Sequence, residues 1–155
     1  MGQYEEALRH YESAIKKDNT NGTFFYNRAQ VKAKLDKLDE CIEDYQTALK
    51  NLSDTTIQYQ ANFNMGVCLR RMGRLDESIE ELKKAVALKN DKSGAHNNLG
   101  LSYFEKEDYD EALNEFTKSI ALEQHPFHYN NRGLAYYHIG QYDLAKKDFD
   151  EAIKK

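Results

Sequence analysis

Asn27, Asn64, Asn98 and Asn131 recur at intervals of 37, 34 and 33 residues. A primary amide carries two donors and an acceptor, enough to pair with both the C=O and the N–H of a passing polypeptide whatever its side chains. Asparagine is a mediocre helix former, so propensity does not explain its return inside helical patterns. Two readings follow: a row of amides that holds an extended segment, or amides that bond between neighbouring helices or to water. Around this column, Tyr26, Phe63, Asn97 and Asn130 stand one residue before, and Gln30, Val67, Leu101 and Leu134 three after. Six and seven residues after come Ala33-Lys34, Arg70-Arg71, Phe104-Glu105 and Tyr137-His138. The first half of this surface is basic and aromatic, the second apolar and aromatic. A ligand with acidic side chains at one end and hydrophobic ones at the other would fit it.

Other reactive side chains are poorly placed for chemistry. His125 and His128 in "HPFH" straddle a helix start with no third ligand near in sequence, so no metal site is expected. His96 falls in a bulky packing column. Cys41 and Cys68 occupy helical packing positions outside any nucleophile motif and do not form a disulfide framework. No glycine loop suited to a phosphate is present. The expectation is a protein without catalytic residues or cofactor. Most of the 11 tyrosines fall in repeated bulky columns and read as core.

Composition sets the remaining bounds. Charged residues make up 31% and hydrophobic ones 40% of 155 residues, the balance of a soluble folded chain. A net charge of −4 disfavours nucleic acid as the main partner. No apolar run approaches the roughly 20 residues that span a bilayer. Met1 leads directly into the polar "GQYEEALRHYE", so no secretory leader is expected, and the sequons at Asn21 and Asn51 read as chance. An intracellular, cytoplasmic setting with reduced thiols is the expectation.

The elements that carry the asparagines repeat. Ala7, Cys41, Ser78, Ala112 and Ala145 mark one small column, at intervals of 34, 37, 34 and 33 residues. Four residues on stand Tyr11, Tyr45, Leu82, Phe116 and Phe149, and three beyond those Ala14, Ala48, Ala85, Ser119 and Ala152. Spacings of four and three share one helix face. Upstream, Ala29, Gly66, Gly100 and Gly133 form a second small column. Mid-helix glycine costs about 1 kcal/mol against alanine, which implies that another helix backbone passes very close. Between the two sets lie turns, with Gly73 and Gly140 suited to left-handed caps.

This order of columns resembles the tetratricopeptide repeat, a helix-turn-helix unit of roughly 34 residues. In the last block the match runs through Tyr129, Gly133, Tyr136, Gly140, Tyr142, Ala145, Phe149 and Ala152. Departures are the missing closing proline (Asn19, Ser53, Asn90 and Gln124 stand there), Asn62 in a bulky column, and three extra residues in "NLSDTTIQYQ". The resemblance implies an all-α fold, an α-solenoid of antiparallel helix pairs stacked as a right-handed superhelix. About nine helices are expected, near 3–17, 22–35, 38–51, 55–72, 75–88, 92–106, 109–122, 126–139 and 142–154. We divide residues 1–155 into a half repeat over 1–20 and repeats over 21–54, 55–91, 92–125 and 126–155. The odd helix count marks the expected piece of a longer array with an uncapped seam at each end.

The resemblance further implies that the first helix of each pair lines a concave groove and that the function is protein–protein interaction. Asn27, Asn64, Asn98 and Asn131 would grip the backbone of a peptide from a partner. Tyr26, Phe63, Val67, Leu101, Phe104 and Tyr137 would supply apolar contacts, and Arg70 and Arg71 charge. Relatives that clamp chaperone C-termini use Lys and Asn on one first helix, Asn on the next, then Lys and Arg on a third. Here Tyr26, Gln30, Asn64, Gly94 and Asn98 stand there, or Phe63, Val67, Asn98, Phe127 and Asn131 one unit along. Only the middle asparagine survives, so that clamp is not expected. The alternatives are an assembly scaffold that binds or self-associates through its ends or convex face, and the recognition arm of a larger enzyme.

Overall fold

The computed structural model describes residues 2–155, and among them there are nine helices and no strand. They are α1 (Gly2–Lys17), α2 (Gly22–Lys34), α3 (Leu38–Asn51), α4 (Thr55–Arg71), α5 (Leu75–Leu88), α6 (Ser93–Glu105), α7 (Tyr109–Leu122), α8 (Pro126–His138) and α9 (Tyr142–Lys154). Local chemistry sets the boundaries. Asp54 accepts from the backbone N–H groups of Thr56 and Ile57 at 2.7 and 3.0 Å, and Asn21 from that of Thr23 at 3.1 Å. Pro126 opens α8, where it forfeits no helical bond. The extra residues after Asn51 lengthen α4 to 17 residues, against 13 in α2, α6 and α8.

The turn inside each hairpin needs one left-handed residue. Gly73 and Gly140 supply it at φ 73° and 75°, while Asp36 and Glu107 adopt φ 60° and 68° despite their side chains. That conformation costs an L-residue about 1–2 kcal/mol. Exposed Glu107 should therefore gain from Glu107→Gly, by up to about 1 kcal/mol after the added freedom of the unfolded chain is subtracted. Urea denaturation reads this directly.

The intimate pairs are α2 with α3, α4 with α5, α6 with α7 and α8 with α9. Beyond sequential neighbours, α2 touches α4, α4 touches α6 and α6 touches α8, whereas α3, α5, α7 and α9 never touch one another. Helices that meet on one side and splay on the other make a curved ribbon. The first helices line its inner face. The core follows the ribbon as a string: one cluster around Ala29, Tyr45 and Met65, a second around Ile79, Leu82 and Leu99, a third around Ala112, Phe116 and Ala135.

The expected backbone approach is present at two of the glycines, where a Cβ on Gly66 or Gly133 would lie 3.3 Å from the Ser78 or Ala145 carbonyl oxygen, but side chains come closer. A Cβ on Gly66 would lie 2.6 Å from Leu82 Cγ, and one on Gly100 2.7 Å from the Phe116 ring. The bulky residue of the second helix is seated over the glycine. Charged struts brace two of the hairpins. Arg28 donates through Nε and Nη2 to Asp44 at 2.8 and 2.7 Å, and Arg132 repeats this fork on Asp148 at 2.7 and 2.8 Å. In α6–α7 buried His96 instead meets Glu115 at 2.7 Å.

Candidate peptide-binding face

All four column asparagines lie on the inner helices and are half-buried. Asn64 lines an open cleft of roughly 510 Å³ with Gln30, Lys34, Val67, Cys68 and Arg71, and Tyr4 of α1 stands at its side. Tyr45 also borders this cleft beside Asn64. Burial pushes that phenol well above its ordinary range, so it remains a neutral hydrogen-bonding group. Asn98 donates to the Gly94 carbonyl at 2.9 Å, and Asn131 donates to Asn97 Oδ1 at 2.9 Å, linking α8 to α6. Among the described residues Asn27 makes no side-chain hydrogen bond. Each amide therefore retains hydrogen-bonding capacity that the scaffold does not use.

The flanking positions divide. Tyr26, expected as a groove contact, is a core residue with 7% of its surface exposed. Its ring lies 6.0 Å from that of Tyr45, and its hydroxyl accepts from Gln30 at 2.6 Å and donates to Gln60 at 3.1 Å. One step before the asparagine turns the side chain from the hollow toward the next hairpin. Phe63 in the same column is half-buried, stacked on Tyr59 at 6.1 Å and packed against the Ile79–Leu82–Leu99 cluster. Leu101 and Phe104 pack against the Phe116 cluster, and Phe104 meets the His138 and Tyr109 rings at 5.1 and 5.6 Å. Tyr137 is 56% exposed and touches Tyr142 edge-on. Val67 opens onto the cleft.

Arg70 and Arg71, expected to bring charge, each carry an ion pair with a neighbouring hairpin, and Arg71 lines the cleft. Arg70 pairs with Glu105 of the next hairpin, and Arg71 Nη2 pairs with Asp36 Oδ1 of the previous one at 2.6 Å. Both bind hairpin to hairpin because each lies about one repeat from an acid. Lys34 is the cation that the sequence reading left out of the site. It lines the cleft, and among the described residues it has no ion pair. Its position seven residues after Asn27 matches that of Arg71 after Asn64, which is the signal that could have found it.

The histidines serve structure. His125 caps α8 by accepting from the Phe127 N–H at 3.3 Å, and His128 Nδ1 donates to the Glu123 carbonyl at 2.9 Å. Among the described residues no three His, Cys, Asp or Glu side chains cluster for a metal, and no helix is long and apolar enough to cross a membrane.

Models of the tetratricopeptide repeat match residues 1–36, 23–51, 56–125 and 127–155. Small glutamine-rich tetratricopeptide repeat-containing protein 2 of Saccharomyces cerevisiae is 26% identical over 121 residues, covering 78% of this chain and 32% of that protein. Hsp70-Hsp90 organizing protein 1 of Arabidopsis thaliana is 31% identical over 91 residues, covering 54% of this chain and 16% of its own length. The chain thus spans a third or less of these relatives. The crystal structure of MamA superposes with a TM-score of 0.92 at 25% identity, over 99% of this chain and 88% of the other.

Proposed function

Because this chain belongs to the tetratricopeptide repeat family, whose members mediate protein–protein interaction, we propose that it is a non-enzymatic module holding a peptide segment of another protein along its inner face. The observation that carries this reading is the cleft itself. An unsaturated amide at Asn64, a cation at Lys34 and an apolar wall at Val67 share one open hollow on the side where first helices meet. The amides would take the peptide backbone, Lys34 an acidic side chain, and exposed Leu134 and Tyr137 apolar side chains further along. Lys34 and the Arg71 guanidinium, which lines the same cleft while paired with exposed Asp36, would select for acid at that end. The chaperone-organising relative acts on Hsp70 and Hsp90 by its name, but the clamp cations are absent here and the reading does not extend to those partners.

The test is a peptide selected from a random displayed library on the wild-type protein. Its affinity for Asn64→Ala/Asn98→Ala should fall more than tenfold, about 1.4 kcal/mol or more. Stability should drop by only about 1 kcal/mol for each lost hydrogen bond. Equal affinity for both proteins would refute the amide grip.

A second reading, association through the end of the ribbon, rests on the last hairpin. Ile153 is 84% exposed and Phe127 70% exposed, beside a hollow lined by Pro126, Asn130, Phe149 and Ala152. The equivalents of Ile153 in earlier hairpins are covered: Leu49 and Val86 are half-buried and Ile120 is buried. If this face binds another copy, sedimentation shows mass rising with concentration in the wild type and a monomer in Ile153→Glu. A monomer throughout excludes it.

A further inference from the structure

At each boundary between hairpins, two small residues face each other across the second helix of one pair and the first helix of the next. At α7–α8 they are Ala112 and Ala135, both fully buried. At α5–α6 they are Ser78 and Ser102, also fully buried, with their Oγ atoms 2.8 Å apart. At α3–α4 the same two columns hold Cys41 and Cys68, which are 0% and 3% exposed. Two alanines satisfy the site at one boundary, so packing asks only for small side chains. The pair of thiols is more than packing needs.

Their surroundings differ from those of an inert buried pair. Cys41 and Cys68 belong to one buried core cluster, at the columns where Ser78 and Ser102 bring their Oγ atoms to 2.8 Å. Cys68, 3% exposed, also lines the cleft described above, whereas Cys41 is fully buried and does not. The neighbouring Cys41 thiol and the positive charge of Arg71, which shares the cleft, hold the Cys68 thiol below its ordinary range. By its place at the cleft wall, Cys68 is the thiol that reacts first, and the enclosed Cys41 the one that resolves it. A disulfide requires an S–S length of about 2.05 Å and Cβ atoms about 3.5–4.5 Å apart. The contact between serines in the same columns places γ atoms close enough for a small adjustment to close it.

We propose that Cys41 and Cys68 form a dithiol site that peroxides oxidise to an intramolecular disulfide, stapling α3 to α4 at the wall of the cleft. The Cys68 thiolate attacks one peroxide oxygen, an S–O bond forms as the O–O bond breaks, and hydroxide leaves to take up a proton as water. The Cys41 sulfur then attacks the sulfenic sulfur of Cys68. The S–S bond forms, the S–O bond breaks, and the second water departs with the Cys41 proton. Two thiols lose two electrons in total, and one peroxide is reduced to two waters. The site is independent of the peptide-binding reading, because none of these steps needs a partner in the groove.

The experiment is a titration of the purified protein with hydrogen peroxide. Intact-mass spectrometry should show a loss of two hydrogens per chain, reversed by dithiothreitol, with one linked peptide pair joining Cys41 to Cys68. The melting temperature of the oxidised protein should rise by roughly 5–10 °C, because the crosslink restricts the unfolded chain. Cys41→Ser and Cys68→Ser should both fold, since serine fills these columns one hairpin along. With its resolving partner gone, Cys41→Ser should accumulate a sulfenic acid at Cys68 that a cyclic 1,3-diketone labels. Cys68→Ser should remain unlabelled. The proposal is overturned if wild-type thiols persist under peroxide, if Cys68 gains oxygen without linking to Cys41, or if the products are crosslinked dimers.

Discussion

Asp44→Ala should lower the unfolding free energy by about 3–5 kcal/mol, the cost of leaving buried charges without their partner. Asp44 sits beneath α2 with 6% of its side chain exposed and takes three charge-assisted bonds. Two come from the Arg28 fork at 2.8 and 2.7 Å and the third from Lys32 Nζ at 2.9 Å. The two cations are themselves only 18% and 11% exposed, so water replaces the lost carboxylate poorly. Alanine would strand Arg28 and leave Lys32 only exposed Glu40, 3.5 Å away. The control is Asp150→Ala, whose bond to Lys146 is exposed and should matter by less than about 0.5 kcal/mol. Urea denaturation followed by circular dichroism separates the two. A loss below about 1 kcal/mol at Asp44 would mean that the strut contributes little beyond what solvent supplies.

Phe116→Ala should cost a similar amount, about 3–5 kcal/mol, for a different reason. Phe116 is fully buried, and its ring fills the space above Gly100 so tightly that a Cβ there would lie 2.7 Å from it. Removing the ring opens a void between α6 and α7 that a helix backbone cannot collapse into. Since each hairpin touches only the hairpins next to it, the damage should spread locally. Amide exchange in α6 to α9 should accelerate while α2 to α4 remain protected. Uniform acceleration along the chain would instead indicate one cooperative unit.

Much of the fold was legible in the sequence because each helix repeats the same columns. Their small-bulky-small spacing located the nine helices to within a residue or so, and Gly73 and Gly140 marked their turns. Asp36 and Glu107 were not marked, because the conformation there is imposed by the hairpin rather than favoured by the residue. The site was harder to read. A column states which way a residue points within its helix, but not what the neighbouring hairpin brings up against it. Tyr26 therefore looked available although the next hairpin covers it, and Phe63 although it is half-buried against Tyr59 and the second core cluster. The ion pairs of Arg70 with Glu105 and Arg71 with Asp36, each 35 residues apart, one repeat plus a step, were likewise hidden. That spacing, and the 16-residue interval joining Arg28 to Asp44 and Arg132 to Asp148, are ion-pair signals that a repeat-aligned reading can recover.

The direct measurement is a nitrogen-15 NMR titration of the wild-type protein with a library-selected peptide, following the side-chain NH2 resonances of asparagine. Binding along the inner face predicts that the Asn64 and Asn98 amides and the backbone of α2, α4 and α6 shift together and saturate with one affinity. Shifts confined to α3, α5 and α7, or to the exposed end around Phe127 and Ile153, with the Asn64 and Asn98 amides unmoved, would contradict it.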